Sequence, residues 1–172
     1  IRIKGLDAPP RHLRCTPRAR TQVLLQASAT VDASRADGLT PLCQASKAGH
    51  TQCVDLLLNA RANVEAAGAM YGTTSLLMAS KGGYQQIVEM LLRHGADTEV
   101  AGRAYGTTSL VAAAQHGHAQ VVLTLLEYGA VPDKTLNDGS SALSKARLAP
   151  SIAHGPERRP HPLATLLTSR AD

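Results

Sequence analysis

The sequence predicts a repeat solenoid, and three observations carry that expectation. The stretch from Thr40 to Glu65, TPLCQASKAGHTQCVDLLLNARANVE, recurs. It returns 34 residues later as TSLLMASKGGYQQIVEMLLRHGADTE (Thr74 to Glu99) and 34 later again as TSLVAAAQHGHAQVVLTLLEYGAVPD (Thr108 to Asp133). The register is strict at Leu42/Leu76/Leu110, Ala45/Ala79/Ala113, Gly49/Gly83/Gly117 and Val54/Val88/Val122, and at the pairs Leu57-Leu58, Leu91-Leu92 and Leu125-Leu126. Finally, the 172 residues include no Phe or Trp and four Tyr. A globular core of that size uses large aromatics, whereas a core strip shared between neighbouring small units packs on Ala and Leu.

The motifs resemble the ankyrin repeat family. The opening Thr40-Pro41-Leu42, the turns Gly49-His50 and Gly117-His118, and the close Gly95-Ala96-Asp97 carry the resemblance, which covers Val23 to Leu148. It implies an all-α fold with short β-hairpin fingers: an ankyrin-type helix-turn-helix repeat solenoid of about four to five repeats. It also implies a kind of function, the binding of other proteins. The sequence departs from the family at several places. Ser75 and Ser109 stand where the family has Pro, Leu77 and Val111 where it has His, and Arg61 where it has Gly. The first two departures weaken the local Thr-to-His hydrogen bonding.

Taken in order, residues 1–16 form an irregular basic flank, because Pro9-Pro10 blocks a helix interior. A half repeat is expected at 17–33, since VLLQASATVDA from Val23 aligns with LLLNARANVEA from Leu56. Full repeats are expected near 34–66, 67–100 and 101–134, and a last one from 135. In the first, Asp37-Gly38 signals a hairpin turn, Pro41 suits a first helical turn, and Gly49 ends the helix. The second helix carries Cys53, Val54, Leu57 and Leu58 as its buried stripe. Arg61 then occupies a position that needs positive φ, at a cost of about 1 kcal/mol. The next two fingers are each one residue longer than the first and nearly repeat each other, AGAMYGTTS and AGRAYGTTS. Residues 149–162 read as a Pro-rich insertion or linker. Residues 163–172 read as a terminal helix, the second helix of the last repeat, because Leu166 to Asp172 matches Leu57 to Asn63. A start at Ile1 and a stop where another finger should begin point to a fragment of a longer protein.

The net charge of +5 is unevenly placed. Residues 31–148 hold nine Lys/Arg against ten Asp/Glu, whereas residues 1–30 hold six against one. The array itself is not basic, which argues against nucleic acid as its partner. Three Cys, two of them at core-type positions (Cys43 and Cys53), fit a reducing compartment rather than a disulfide framework, hence an intracellular protein, cytoplasmic or nuclear. No apolar run approaches membrane-spanning length, so no membrane insertion is expected.

Catalytic signatures are missing. The chain has no phosphate-binding glycine loop, HExxH, CxxC or GxSxG motif. His50 and His118 occupy turn positions, His94 faces a helix C-terminus, and His116 lies on the surface. Neither His116 with His118 nor Cys43 with His50 and Cys53 has metal-ligand spacing. The carboxylates are scattered singly, with no pair suited to acid–base work. No enzyme activity, cofactor or metal is expected.

What remains is surface. In an ankyrin-type stack the fingers and the exposed side of the first helices form a concave face. The alignment places Asp37, Leu39, Met70, Tyr71, Thr73, Ala104, Tyr105, Thr107, Asn137 and Asp138 on the fingers. It places Lys47, Lys81, Gln115 and His116 on the first helices. Tyr71 and Tyr105 are the sharpest candidates: they stand 34 apart at equivalent tips, and exposed Tyr is enriched at binding hot spots. Packing of each Tyr against its own hairpin is the plainer alternative. The expected function is a monomeric, non-catalytic protein–protein interaction module. An accessory segment of a larger enzyme or signalling protein, or a structural spacer, are the alternatives.

Overall fold

The computed structural model describes residues 18, 21–22, 30–34, 38–68, 72–102, 106–134, 137, 139 and 141–142. Within them the chain forms three helix pairs. They are α1 (Pro41–Lys47) with α2 (Thr51–Asn59), α3 (Ser75–Gly82) with α4 (Gln85–Arg93), and α5 (Ser109–Gln115) with α6 (Ala119–Glu127).

Each first helix starts on the same threonine. Thr40, Thr74 and Thr108 have extended backbone. Their hydroxyl oxygens accept from the N–H three residues on: Cys43 at 3.3 Å, Leu77 at 3.2 Å and Val111 at 3.4 Å. An N-cap of this kind contributes about 1 kcal/mol. Each first helix ends on a glycine with φ near +72° to +75°, at Gly49, Gly83 and Gly117. The next N–H then bonds back five residues, from His50 to Ala45, Tyr84 to Ala79 and His118 to Ala113, which turns the chain into the second helix.

The second helices close similarly. Ala62, Ala96 and Ala130 each bond back five residues at 3.0 Å. Gly95 and Gly129 supply the left-handed residue in two of these turns, and Arg61 supplies it in the first, at φ 61°. A Cβ added at Gly95 or Gly129 would meet nothing within 4 Å. Arg61 therefore has room, and its cost is the intrinsic one of a left-handed L-residue.

Packing makes two layers. α1, α3 and α5 lie side by side, α2, α4 and α6 lie side by side, and each first helix packs on its own second helix. The second helices are amphipathic. They bury Cys53, Val54, Leu57 and Leu58, then Ile87, Val88, Leu91 and Leu92, then Val121, Val122, Leu125 and Leu126. The first helices are buried on nearly every side. Small residues let them approach: Ala45, Ala79 and Ala113 form one buried column, and Ser46, Ser80 and Ala114 another. Cys43 and Cys53 are buried free thiols.

A polar ladder ties successive units together through the loops that follow the second helices. Asp32 Oδ1 accepts from Asn63 N (3.0 Å), Glu65 Oε1 from Asp97 N (2.8 Å), and Glu99 Oε1 from Val131 N (3.0 Å). Lys134 Nζ closes the last described rung on the Glu99 carboxylate (3.0 Å) and carbonyl (2.8 Å).

Two sequence expectations need correction. No strand occurs among the described residues, so the β-hairpin fingers are not found there. Each longer finger closes at its base by one bond across, Gly68 N to Thr73 O (3.0 Å) and Gly102 N to Thr107 O (2.9 Å). A second bond runs within the turn, Gly72 N to Gly68 O and Gly106 N to Gly102 O. One rung is too few for a ladder. The count of four to five repeats also falls to three helix pairs among the described residues. The repeat pattern is interrupted by proline at both ends, at Pro9-Pro10 and between Pro150 and Pro162. The basic flank at 1–16, the insertion at 149–162 and the terminal helix at 163–172 lie outside the described residues. Of the half repeat at 17–33, Arg18, Thr21 and Gln22 are seen with helical backbone.

Two stability changes follow from these local geometries. Arg61→Gly removes the left-handed strain and should raise stability by about 0.5–1 kcal/mol in urea denaturation, net of the added freedom of the unfolded chain. Ser80 Oγ is buried with no partner among the described residues, and Ala114 fills the same place one unit later. Ser80→Ala should therefore stabilise by about 1 kcal/mol, read as a higher denaturation midpoint at unchanged slope.

Candidate functional site

The first-helix layer is so fully buried that what it exposes is narrow. Lys47 is exposed on α1, Lys81 and Gly82 on α3, and Gln115 on α5, with His116 just beyond it. One helical turn earlier, Gln44 and Met78 are half-buried and Ala112 is buried. Spacing of three residues puts Gln44 with Lys47, Met78 with Lys81 and Ala112 with Gln115 on one face of their helices. Because the three helices lie side by side, these positions join into a strip across the layer. Lys47, Lys81, Gln115 and His116 belong to it, as the alignment expects. Gln44 and Met78 were not singled out from sequence, although the same three-residue step from the two lysines reaches them.

The finger candidates divide. Asp37, Met70, Tyr71, Ala104, Tyr105 and Asp138 lie outside the described residues. Leu39 is half-buried, and its side chain lies over buried Gly68 of the next finger, 2.8 Å from where a Cβ would stand. Thr73 and Thr107 are half-buried finger-base residues whose carbonyls accept the closing bonds. Asn137 is exposed, and its Oδ1 covers Gly106. Leu39 and Asn137 thus reach from one finger to another, whereas Thr73 and Thr107 close their own.

Cys43 occupies the position filled by Leu77 and Val111 in later units. Its thiol reaches across to the next unit, 3.3 Å from Ser75 Oγ and 3.4 Å from the Ala66 carbonyl. Leu77 cannot serve Ser109 in the same way, and Ser109 Oγ is buried with no partner among the described residues.

The turn rings bridge successive units. The Tyr84 ring lies over Gly49 and Gly82, and the His118 ring over Gly83. His118 Nε2 donates to the Lys81 carbonyl at 3.1 Å, and His116 Nδ1 donates to the Ala112 carbonyl at 2.9 Å. The two imidazoles stack with centroids 6.2 Å apart. His118 Nδ1, the nitrogen left over, lies against Gly83. Among the described residues no group of three or more His, Cys, Asp or Glu could hold a metal ion. His94 Nδ1 donates to the Met90 carbonyl at 2.8 Å, satisfying a helix C-terminus.

On the other layer an open groove of about 340 Å³ runs between α2 and α4, floored by Leu56 and Met90 and flanked by Arg18 and Asp55. No helix among the described residues is long and apolar enough to cross a membrane.

The ring contact at Gly83 is testable. Gly83 has φ +72°, and a Cβ there would lie 2.5 Å from His118 Nδ1. Gly83→Ala should destabilise by about 2 kcal/mol. In a double-mutant cycle with His118→Ala, the Gly83→Ala cost should shrink toward the intrinsic left-handed term, both read from urea melts.

Sequence comparison agrees with this geometry. A family model described as ankyrin repeats (3 copies) matches residues 18–102 and 69–138. The chain has no significant match among the curated proteins compared with it. With most of its length matched by that model and three capped helix pairs stacked in two layers, the chain belongs to the ankyrin repeat family.

Proposed function

We propose that the chain is a non-catalytic protein-interaction module that holds a protein partner on the concave face of its repeat stack. That face comprises the strip of Gln44, Lys47, Met78, Lys81, Gln115 and His116, with the finger tips beside it. One contrast carries the reading. The threonine caps, turn glycines and buried Leu and Ala recur from unit to unit. The exposed positions of the first helices do not: Lys47 and Lys81 give way to Gln115, and Ala48 and Gly82 to His116. Packing dictates the first set, so variation in the second is free to encode a partner.

Tyr71 and Tyr105, with Met70, are the anchors in this reading, on the strength of their equivalent sequence positions. Tyr presents a large contact area at low entropic cost and a polar tip. Asp37, Lys47, Lys81 and His116 act as polar selectors. The module works as a monomer in the cytoplasm or nucleus, which the buried free thiols of Cys43 and Cys53 favour.

The test is affinity capture from cell lysate with the full chain as bait, beside Tyr71→Ala/Tyr105→Ala and Lys81→Ala/Gln115→Ala. Each pair should weaken retention of a shared partner by about tenfold or more, at about 1–2 kcal/mol per anchor, with circular dichroism unchanged. Equal retention by all three baits would move the binding site off this face.

A further inference from the structure

The repeat array sorts its charge by layer. Ten Asp and Glu lie between residues 31 and 148, and none falls in the first-helix segments 41–50, 75–84 and 109–118. The described carboxylates stand on the second helices (Asp55, Glu89, Glu127) or in the loops after them, where Asp32, Glu65 and Glu99 accept backbone bonds from the next unit. Lys47 and Lys81 are the charged residues of those first-helix segments, and both are exposed.

Nothing within the described chain neutralises them. Arg93 pairs with Glu89 at 3.7 Å and Lys134 with Glu99 at 3.0 Å, whereas neither Lys47 nor Lys81 makes an ion pair among the described residues. Each sits in the last turn of its helix, where a cation favours the dipole. That local role is dispensable, because α5 carries no basic residue in its last turn and forms the same helix.

We propose that the partner segment taken by this strip is an extended acidic peptide. Two of its carboxylates meet Lys47 and Lys81, and an apolar side chain between them rests on Met78. The proposal deepens the functional reading above and rests on it. The spacing fits: neighbouring packed helices lie about 8–10 Å apart, and an extended chain of polyproline II type, with three residues per turn, returns side chains three residues apart to one face about 9 Å along. Carboxylates three residues apart thus match two lysines on adjacent helices. Met78, half-buried one turn before Lys81, offers an adaptable apolar seat beside that pair. Gln44 and Gln115 border the seat with neutral hydrogen-bonding groups. Nucleic acid fits less well. Two lysines release few counterions, and the array as a whole carries more acid than base.

The test uses the full chain and four fluorescein-labelled probes followed by anisotropy. One is a short peptide with two Glu three residues apart and a Leu between them. Two are the same peptide with Gln or with Lys in place of Glu, and the last is a single-stranded oligonucleotide. The Glu peptide should bind about tenfold or more tightly than the Gln peptide, and added salt should narrow the gap. Lys47→Glu/Lys81→Glu should lose the Glu peptide and gain the Lys peptide. Lys47→Gln/Lys81→Gln should lose the first without gaining the second, which separates charge recognition from any effect on the helix ends.

Equal binding of the Glu and Gln peptides would overturn the acidic class, as would an oligonucleotide bound as tightly and released by the same substitutions. No binding of the Glu peptide would overturn it too. If lysate partners are then still lost by Tyr71→Ala/Tyr105→Ala, the interaction module stands without an acidic partner. If every bait retains the same proteins, both readings fall.

Discussion

The close approach of α1, α3 and α5 is the constraint on which the rest of the molecule depends. It is made by two columns of small side chains, Ala45/Ala79/Ala113 and Ser46/Ser80/Ala114, all buried. A larger residue in either column would separate the helices and open the shared core to water. Because these helices are flanked by neighbours and backed by the second layer, they have little surface left to show. The exposed strip is narrow for the same reason that the core is buried. Packing decides both which residues are framework and which remain available to a partner.

The second link between units is polar. Asp32, Glu65 and Glu99 each reach into the next unit and accept its backbone N–H. Asn63 and Asp97 reach forward within their own turns to receive Glu65 N (3.0 Å) and Glu99 N (2.8 Å). Loop backbone that would otherwise lack partners is satisfied across the unit boundary. Each rung joins one unit to the next and no further, so stability accumulates unit by unit. The ladder engages Asp32, Glu65 and Glu99, and the lysines of the first helices make no ion pair among the described residues.

Where the units differ, the differences are local and have local consequences. Cys43 bonds across to Ser75, and Leu77 in the same place leaves the buried Ser109 hydroxyl without a partner among the described residues. Arg61 takes the left-handed turn that Gly95 and Gly129 take at no steric cost. Tyr84 does the ring packing that His118 does one unit later, without a bond like that from His118 to the Lys81 carbonyl. None of these changes the helix pairs, because the Thr caps and turn glycines at each end are retained.

The repeat period, the helix ends and the buried stripes were legible in the sequence alone, because each rests on interactions within a few residues. Thr74 caps a bond three residues away, Gly83 turns a single residue, and Leu91 and Leu92 lie on a helical stripe. Arg61 was legible as a positive-φ residue for the same reason. The exposed lysines, Gln115 and His116 followed from register. What only the tertiary structure decided lies between units. Nothing local says that Glu65 bonds Asp97 N, that Cys43 meets Ser75, or that the His118 ring covers Gly83. Nor does local pattern reveal that Met78 stays half-open on the strip while Ala112, in the equivalent place, is closed over. The fingers depart from the sequence expectation on the same ground. Asp37-Gly38 and the glycines of the longer loops signal a reversal, but a strand pair needs several rungs, and the first finger base that is fully described has one. Short-range chemistry sets where the chain turns; contact between turns sets what each exposed side chain can reach.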